Sequence, residues 1–361
     1  MMRLSMAVSV VAAALGLALA AGSAPAADAG GGFALKDNPG KWLDILQGGR
    51  IVGRYMYAYD KSSPQQLNLT YKPFLHIFDA EGKEPITNGP NPTYPAGKSI
   101  GYPHHRGIFI GWNKMTFEGK SYDRWHMKGG EQVHQKFSEQ KAGPDSATFT
   151  SLVVWNDVDG KPFVEEERTT TFLARPAPAL ALVDFQSRLK APRGDVMLDG
   201  DPEHAGVHYR PHNDVKASET VYVFPKEGAN AHKDTDYPWV GETYSLNGKK
   251  YSVVEMNHPE NPKDTRYSAY RNYGRFGAFF KKEIKSGQTL TVRYRFLIAA
   301  GEMPAVETIQ KCWDEFAGVK TPTATPKTSV IRAEGGGAPK PAAPAAKSPA
   351  KTAPAKAPAD K

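Results

Sequence analysis

The strongest constraint in this sequence is a period of two. From Thr289 to Ile298, Leu290, Val292, Tyr294, Phe296 and Ile298 point one way, and Thr289, Thr291, Arg293 and Arg295 the other. Side chains alternate across a strand, so this stretch reads as a half-buried antiparallel strand. Ile51, Tyr55, Tyr57 and Tyr59 form a second such face. Three further strands are expected over 149–155, 163–173 and 180–189, joined by turns at Asp159-Gly160 and at Arg175-Pro176-Ala177-Pro178. Shorter strands are expected at 221–224, 251–256 and 274–281. Only one helix is convincing: Pro304 opens it, Val306, Ile309, Trp313 and Phe316 make its apolar stripe, and Gly318 follows its end. Many short strands and one late helix predict an all-β, mainly antiparallel chain, a large β-sandwich or supersandwich with a C-terminal helix.

The ends differ from the body. Arg3, the apolar run from Met6 to Ala21, and Ala24-Pro25-Ala26 read as a signal peptide over 1–26. That run is short for a membrane span, which takes about 20 residues. The protein is therefore expected in the periplasm or outside the cell, with no membrane span after cleavage. Residues 320–361 hold eight prolines, twelve alanines and no aromatic residue, with seven lysines and Arg332 against Glu334 and Asp360. Such a stretch buries too little apolar surface to offset its entropy, so a disordered tail is expected from 320, leaving one domain over 27–319. The formal charge of +8 lies mostly there. The body is close to neutral and does not call for nucleic acid, whereas the tail suits contact with anionic envelope polymers. The single Cys312 excludes a disulfide framework or a cysteine-rich zinc module.

Polar residues that are costly to bury gather in three segments. The first is Tyr102-Pro103-His104-His105-Arg106-Gly107, with Asp123-Arg124-Trp125-His126 downstream. The second runs from Asp201 through Glu203, His204, His208 and Arg210 to His212. The third is His258-Pro259-Glu260-Asn261-Pro262 followed by Arg271-Asn272-Tyr273-Gly274. Even spacing puts His204, His208 and His212 on one face of a strand, a candidate ligand set for a divalent metal, although no companion spacing fixes a geometry. No other cofactor is called for. A hydrogen-bonded sugar site fits equally well. In that reading His105, His208 and Glu203 are the acid/base candidates. His104, Arg106, His126, His204, Arg210, Arg271 and Tyr273 orient hydroxyls, and Trp125 is a stacking platform. Glu165 and Glu167 share a face and read as a solvated edge.

These three segments, in this order, resemble a family of secreted bacterial proteins known as the methane oxygenase PmoA family, over roughly residues 40–319. The resemblance implies membership, not the named chemistry. The membrane-bound methane monooxygenase subunit is a multi-span helical protein, and no comparably long apolar run follows the leader here. The expectation is an enzyme acting on a carbohydrate or polyol, of epimerase, lyase or hydrolase type. A non-catalytic envelope or carbohydrate-binding protein is the alternative, and convergence of His105, His208 and Arg271 on one place is what separates the two.

Overall fold

The computed structural model describes residues 31–92, 102–175 and 178–335. The expected leader and the tail beyond 335 lie outside the described residues. Within them the chain is mainly antiparallel β. One sheet has eight strands in the spatial order Phe33–Asn38, Trp42–Gln47, Arg50–Met56, Phe74–Ile77, Ile108–Trp112, Ala205–Tyr209, Phe276–Phe279 and Arg266–Tyr267. A second has nine: Ser329–Arg332, Val221–Phe224, Trp239–Leu246, Lys249–Asn257, Thr289–Ala300, Ala179–Lys190, Pro162–Leu173, Ser146–Asn156 and Gln132–Ala142. A four-stranded sheet contains Lys282–Ile284, Val196–Asp199, Lys114–Phe117 and Lys120–Tyr122.

The alternation in the sequence decides which face each strand buries. Val292, Tyr294, Phe296 and Ile298 enter one core with Ile108, Ile110 and Trp112 from the opposing sheet. Hydrogen bonds cross the interior, from Tyr55 Oη to Ser151 Oγ at 2.9 Å and between the Tyr209 and Tyr244 hydroxyls at 2.7 Å. Pairing of this kind offsets the cost of burying such groups. The helix Val306–Ala317 covers part of the outer face of the nine-stranded sheet, packing Ile309 and Trp313 on Trp239, Val254 and Met256. Gly318 ends it in the left-handed region at φ 67°.

Two features depart from the sequence reading. A short helix, Pro64–Thr70, forms after the N-cap Ser63, whose Oγ accepts from Gln66 N at 3.1 Å. The fold also continues past residue 320. Thr323 closes on Asp314, and Ser329–Arg332 pairs with Val221–Phe224 as an edge strand. The tail composition hid this strand, because its four residues lie between a Pro/Thr-rich run and a glycine run.

Candidate functional site

The site is built on the outer face of the eight-stranded sheet. Ile108, Ile110 and Trp112 point into the core, so Phe109 and Gly111 face outward. On the neighbouring strand, Val207 and Tyr209 point inward and His208 outward, in register with Phe109. Gly111 admits the 123–126 segment across this face: a Cβ there would lie 2.2 Å from Arg124 O. Trp125 can therefore pack on Phe109 and His208, with ring centroids 4.8 and 4.7 Å away. On the same strand, Gly206 adopts φ 98°, and a Cβ there would meet Ala278 O at 1.8 Å.

A buried floor results. His208 donates from Nε2 to Ala205 O at 2.7 Å and accepts at Nδ1 from Arg275 Nη1 at 3.0 Å. His105 lies under Tyr102 and Tyr273, both stacked on it at 5.2 and 6.1 Å, with Trp125 edge-on at 5.7 Å. Neither ring nitrogen of His105, nor Trp125 Nε1, has a hydrogen-bond partner. Burial, then neighbouring positive groups, pushes His105 and His208 well below the usual imidazole range, so both are neutral.

Above the floor three half-buried imidazoles come together. His104 and His126 are 4.5 Å apart, and His126 and His204 5.2 Å. Two of them are held alike. His126 Nδ1 is 2.8 Å from Asp123 Oδ2, while the backbone N–H groups of Trp125 and His126 donate to Asp123 Oδ1 at 3.0 and 2.8 Å. His204 Nδ1 is 2.8 Å from Asp201 Oδ1, which also accepts from Glu203 N at 3.0 Å, and Asn113 Nδ2 donates to Asp201 Oδ2 at 3.0 Å. Burial alone would raise both aspartates, but these hydrogen bonds hold them below the usual carboxylate range. A carboxylate only accepts, so Nδ1 carries the proton and Nε2 is left for a ligand. Beside them, Glu203 takes both Nε and Nη2 of Arg271 and the Tyr270 hydroxyl, with Arg275 Nη2 at 3.7 Å. The same two arginines hold the Glu203 carboxyl low against its burial.

The segments converge in part: His104, His105, Trp125, His126, Glu203, His204, His208, Arg271 and Tyr273 adjoin one another, whereas His258–Pro262 lies apart, with His258 on Phe316 and Glu260 paired with Arg293. The roles differ from those expected. His105 and His208 are buried, and both nitrogens of His208 are engaged, so neither presents a group to a ligand. Trp125 is fully buried and offers no stacking face. Arg106 spends its guanidinium on the carbonyls of Pro103, Leu69 and Asn68 and lies on the Tyr71 ring, where it pins the Pro64–Thr70 helix. Arg210 donates to Tyr273 O and Asn213 Oδ1 from within the fold. Glu203 is closed in its ion pair. The triple His204, His208 and His212 is not a ligand set: His208 is engaged as above, and His212 Nδ1 accepts from Asp214 N at 3.2 Å. Among the described residues no group of three or more His, Cys, Asp or Glu is placed to hold a metal ion. No described helix is long and apolar enough to cross a membrane.

Sequence reasoning missed Asp123 and Asp201 as imidazole partners, and Arg275 and Tyr270 as supports of Glu203. The signal was present: Asp-Xaa-Xaa-His occurs at 123–126 and again at 201–204.

Fold and site together define a large antiparallel β protein with an imidazole cluster on the outer face of one sheet. The chain belongs to the family of unknown function DUF6807, whose model matches residues 42–314. No curated protein matches it. Among solved structures it is similar to a heparinase III gene product, at 10% identity and TM-score 0.31 over 76% of this chain and 35% of that one. A beta-arabinopyranosidase is similar at 9% identity and TM-score 0.32, over 64% and 37% of the two chains. A galactose mutarotase-like protein from Lactobacillus casei is similar at 9% and 0.31, over 75% and 100%. The chain spans about a third of the length of the first two.

Proposed function

We propose that this protein is an enzyme acting on a carbohydrate or polyol by proton transfer between His126 and His204. One observation carries the reading: two Asp-Xaa-Xaa-His turns from distant parts of the chain set their imidazoles 5.2 Å apart, each with Nδ1 fixed by an aspartate. A hydroxyl bound between them can lose its proton to one Nε2 while the other ring, protonated, returns one to a ring or leaving oxygen. Tyr102 and Tyr273 stack on one another as half-buried rings beside the cluster. Ring opening, the anomeric epimerisation that follows from it, and hydrolysis proceed through such transfers between oxygens, whereas elimination would require one ring to take a proton from carbon. The binding-module alternative is less well supported, because the exposed large hydrophobics among the described residues, Val158, Met197 and Val330, include no aromatic ring on which a sugar could stack. The segments around Tyr102–Gly107, Glu203–Arg210 and Arg271–Gly274, which resemble the PmoA-labelled secreted proteins, build this cluster, and the expected leader assigns the reaction to a place outside the cytoplasm. A mature protein starting near Ala27 tests that part by intact mass.

The experiment is a proton-NMR panel of anomerically pure sugars, uronates and short oligosaccharides with the full chain. The expected result is turnover of one class, lost by about 100-fold or more in His126→Ala and in His204→Ala and kept in His212→Ala. Unchanged turnover in both of the first two variants, or a panel in which nothing reacts, overturns the reading.

A further inference from the structure

The edge strand Ser329–Arg332 lies beyond residue 314, where the match to the family ends. It pairs with Val221–Phe224, and the chain then runs on to the loop that carries Arg271. Ala333 N donates to Thr220 O at 3.1 Å. Glu334 N donates to Tyr270 O at 2.7 Å, and Asn272 N donates to Glu334 O at 3.2 Å, so Glu334 brackets Arg271 in a parallel bridge. The neighbouring strand adds two side chains: Tyr222 Oη donates to Arg271 O at 2.7 Å, and Thr220 Oγ1 to Asn272 O at 2.8 Å. Long side chains hold one geometry only where the backbone beneath them is fixed, because ordering them costs conformational entropy.

This loop reaches the imidazole cluster through Glu203. Tyr270 Oη donates to Glu203 Oε1 at 3.1 Å, and Arg271 Nε to Glu203 Oε2 at 3.0 Å. Glu203 N in turn donates to Asp201 Oδ1 at 3.0 Å, the same oxygen that lies 2.8 Å from His204 Nδ1. Hydrogen bonds therefore run from the main chain of Glu334, through Tyr270 and Arg271, to Glu203, Asp201 and the His204 ring. His126, held by Asp123, lies off this path. The Glu334 side chain has a separate task. Its carboxylate meets His232 Nε2 at 2.6 Å, and both groups are about half exposed, so the pair contributes little.

We propose that Ala333 and Glu334 are positioning residues of the imidazole site. Their main chain fixes the loop Tyr270-Arg271-Asn272 and, through Glu203, the turn that presents His204. The C-terminal strand is then a part of the site and not only a cover for a sheet edge. Its effect on turnover rests on the proton transfer proposed for His204, whereas the positioning itself is read without substrate.

The test uses the full chain and compares Glu334→Pro, which removes the N–H that reaches Tyr270, with Glu334→Ala, which keeps it and loses only the carboxylate. Bonded to a carboxylate, the Arg271 Nε–H is protected from exchange with water. In Glu334→Pro it should exchange about tenfold faster or more, and the His204 ring signals should shift in NMR spectra while those of His126 stay in place. Glu334→Ala should resemble the wild type in all three. Ala333→Pro, which removes the N–H bonded to Thr220, should act in the same direction as Glu334→Pro. For any sugar that reacts, kcat/KM should fall by about tenfold in Glu334→Pro and by less than about twofold in Glu334→Ala. If Arg271 and His204 in Glu334→Pro match the wild type, or if His126 shifts as much as His204, the strand only covers an edge and the proposal falls. It falls equally, even if neither proline variant folds, if the wild-type amides of Glu334 and Asn272 exchange as fast as those of an unfolded chain. These spectra decide the positioning whatever the sugar panel shows.

Discussion

Arg275 Nη1 donates to His208 Nδ1 across 3.0 Å. Arginine has only donors, so Nδ1 must be the lone-pair nitrogen. The other nitrogen faces a carbonyl, which only accepts, so Nε2 carries the proton. This fixes one neutral tautomer and makes His208 a strut between the strand Ala205–Tyr209 and the guanidinium that helps to hold Glu203. Its ring resonances should not titrate between pH 5 and 8 in NMR spectra. His208→Ala, which leaves a buried donor unpaired, should lower stability by about 2 kcal/mol or more in urea unfolding. A titrating His208, or a variant as stable as the wild type, contradicts this assignment.

A second buried charge lies in the nine-stranded sheet. Glu166 accepts from Arg168 Nε and Nη2 at 2.9 and 2.8 Å, from Ser187 Oγ at 2.8 Å and from Trp155 Nε1 at 2.8 Å. The flanking Glu165, exposed, and Glu167, half-buried, face Lys190 and Arg188 on the next strand. Glu166→Ala strands a buried guanidinium and should cost about 3–5 kcal/mol. Glu167→Ala should cost less than about 1 kcal/mol. Paired denaturant melts check the contrast, and equal effects would refute it.

Much of this architecture is legible in the sequence, for physical reasons. The strands around Thr289–Ala300 are covered by core on one side, so their hydrophobic period is two. The strand Trp239–Leu246 is buried throughout, and there the alternation disappears. Glu242 shows the consequence. It sits in that strand between Thr243 and Gly241, resembles a surface residue in sequence, and is fully buried near Arg210 and Arg275. Three polar segments could be picked out as the site because such residues are costly to bury. Which of them would be buried was not legible, because that depends on where the 123–126 segment crosses the sheet. This long-range packing turned Trp125 from a platform into a floor and moved the accessible imidazoles from His105 and His208 to His126 and His204.

Acid should destabilise the fold well before carboxylates titrate. Burial holds His76 at about 3, His134 at about 4 and His104 at about 2, with His105 and His208 also well below the ordinary value. Each has a folded pKa below its unfolded value of about 6.5. As pH falls through 6.5 the unfolded chain gains protons that the folded chain refuses, so stability present above that pH is lost below it. Glu242 and Glu255 act oppositely. Burial raises them, so they are protonated in the fold and their contribution is full below about pH 4.3 and lost as pH rises through their folded values. Between about pH 4.5 and 6 these five imidazoles, and in part His258, which burial also lowers, take up protons on unfolding, and two carboxyls release them. The slope of unfolding free energy against pH should correspond to a net uptake of about three protons or more. Urea melts at half-unit steps measure it, and a flat profile over this window contradicts the burial of these groups.

The aspartates at the two turns offer a test of the site that needs no substrate. Asp123 and Asp201 each take a ring Nδ1–H, and each also caps backbone N–H groups of its own turn. Removing the carboxylate therefore has two separable effects. The turn loses local hydrogen bonds, which should cost about 1 kcal/mol each. The imidazole loses the partner that fixed its tautomer and is free to carry its proton on Nε2, the commoner state of an unconstrained ring. Nitrogen-15 spectra of the wild type should show His126 and His204 as Nδ1–H tautomers. Asp201→Ala should convert His204 and leave His126 unchanged, and Asp123→Ala should do the reverse. A merely structural aspartate would lower the melting temperature without changing the tautomer of its histidine. Nε2–H tautomers in the wild type would mean that the lone pairs point at the aspartates rather than at a ligand, and would remove the basis for assigning proton transfer to this pair.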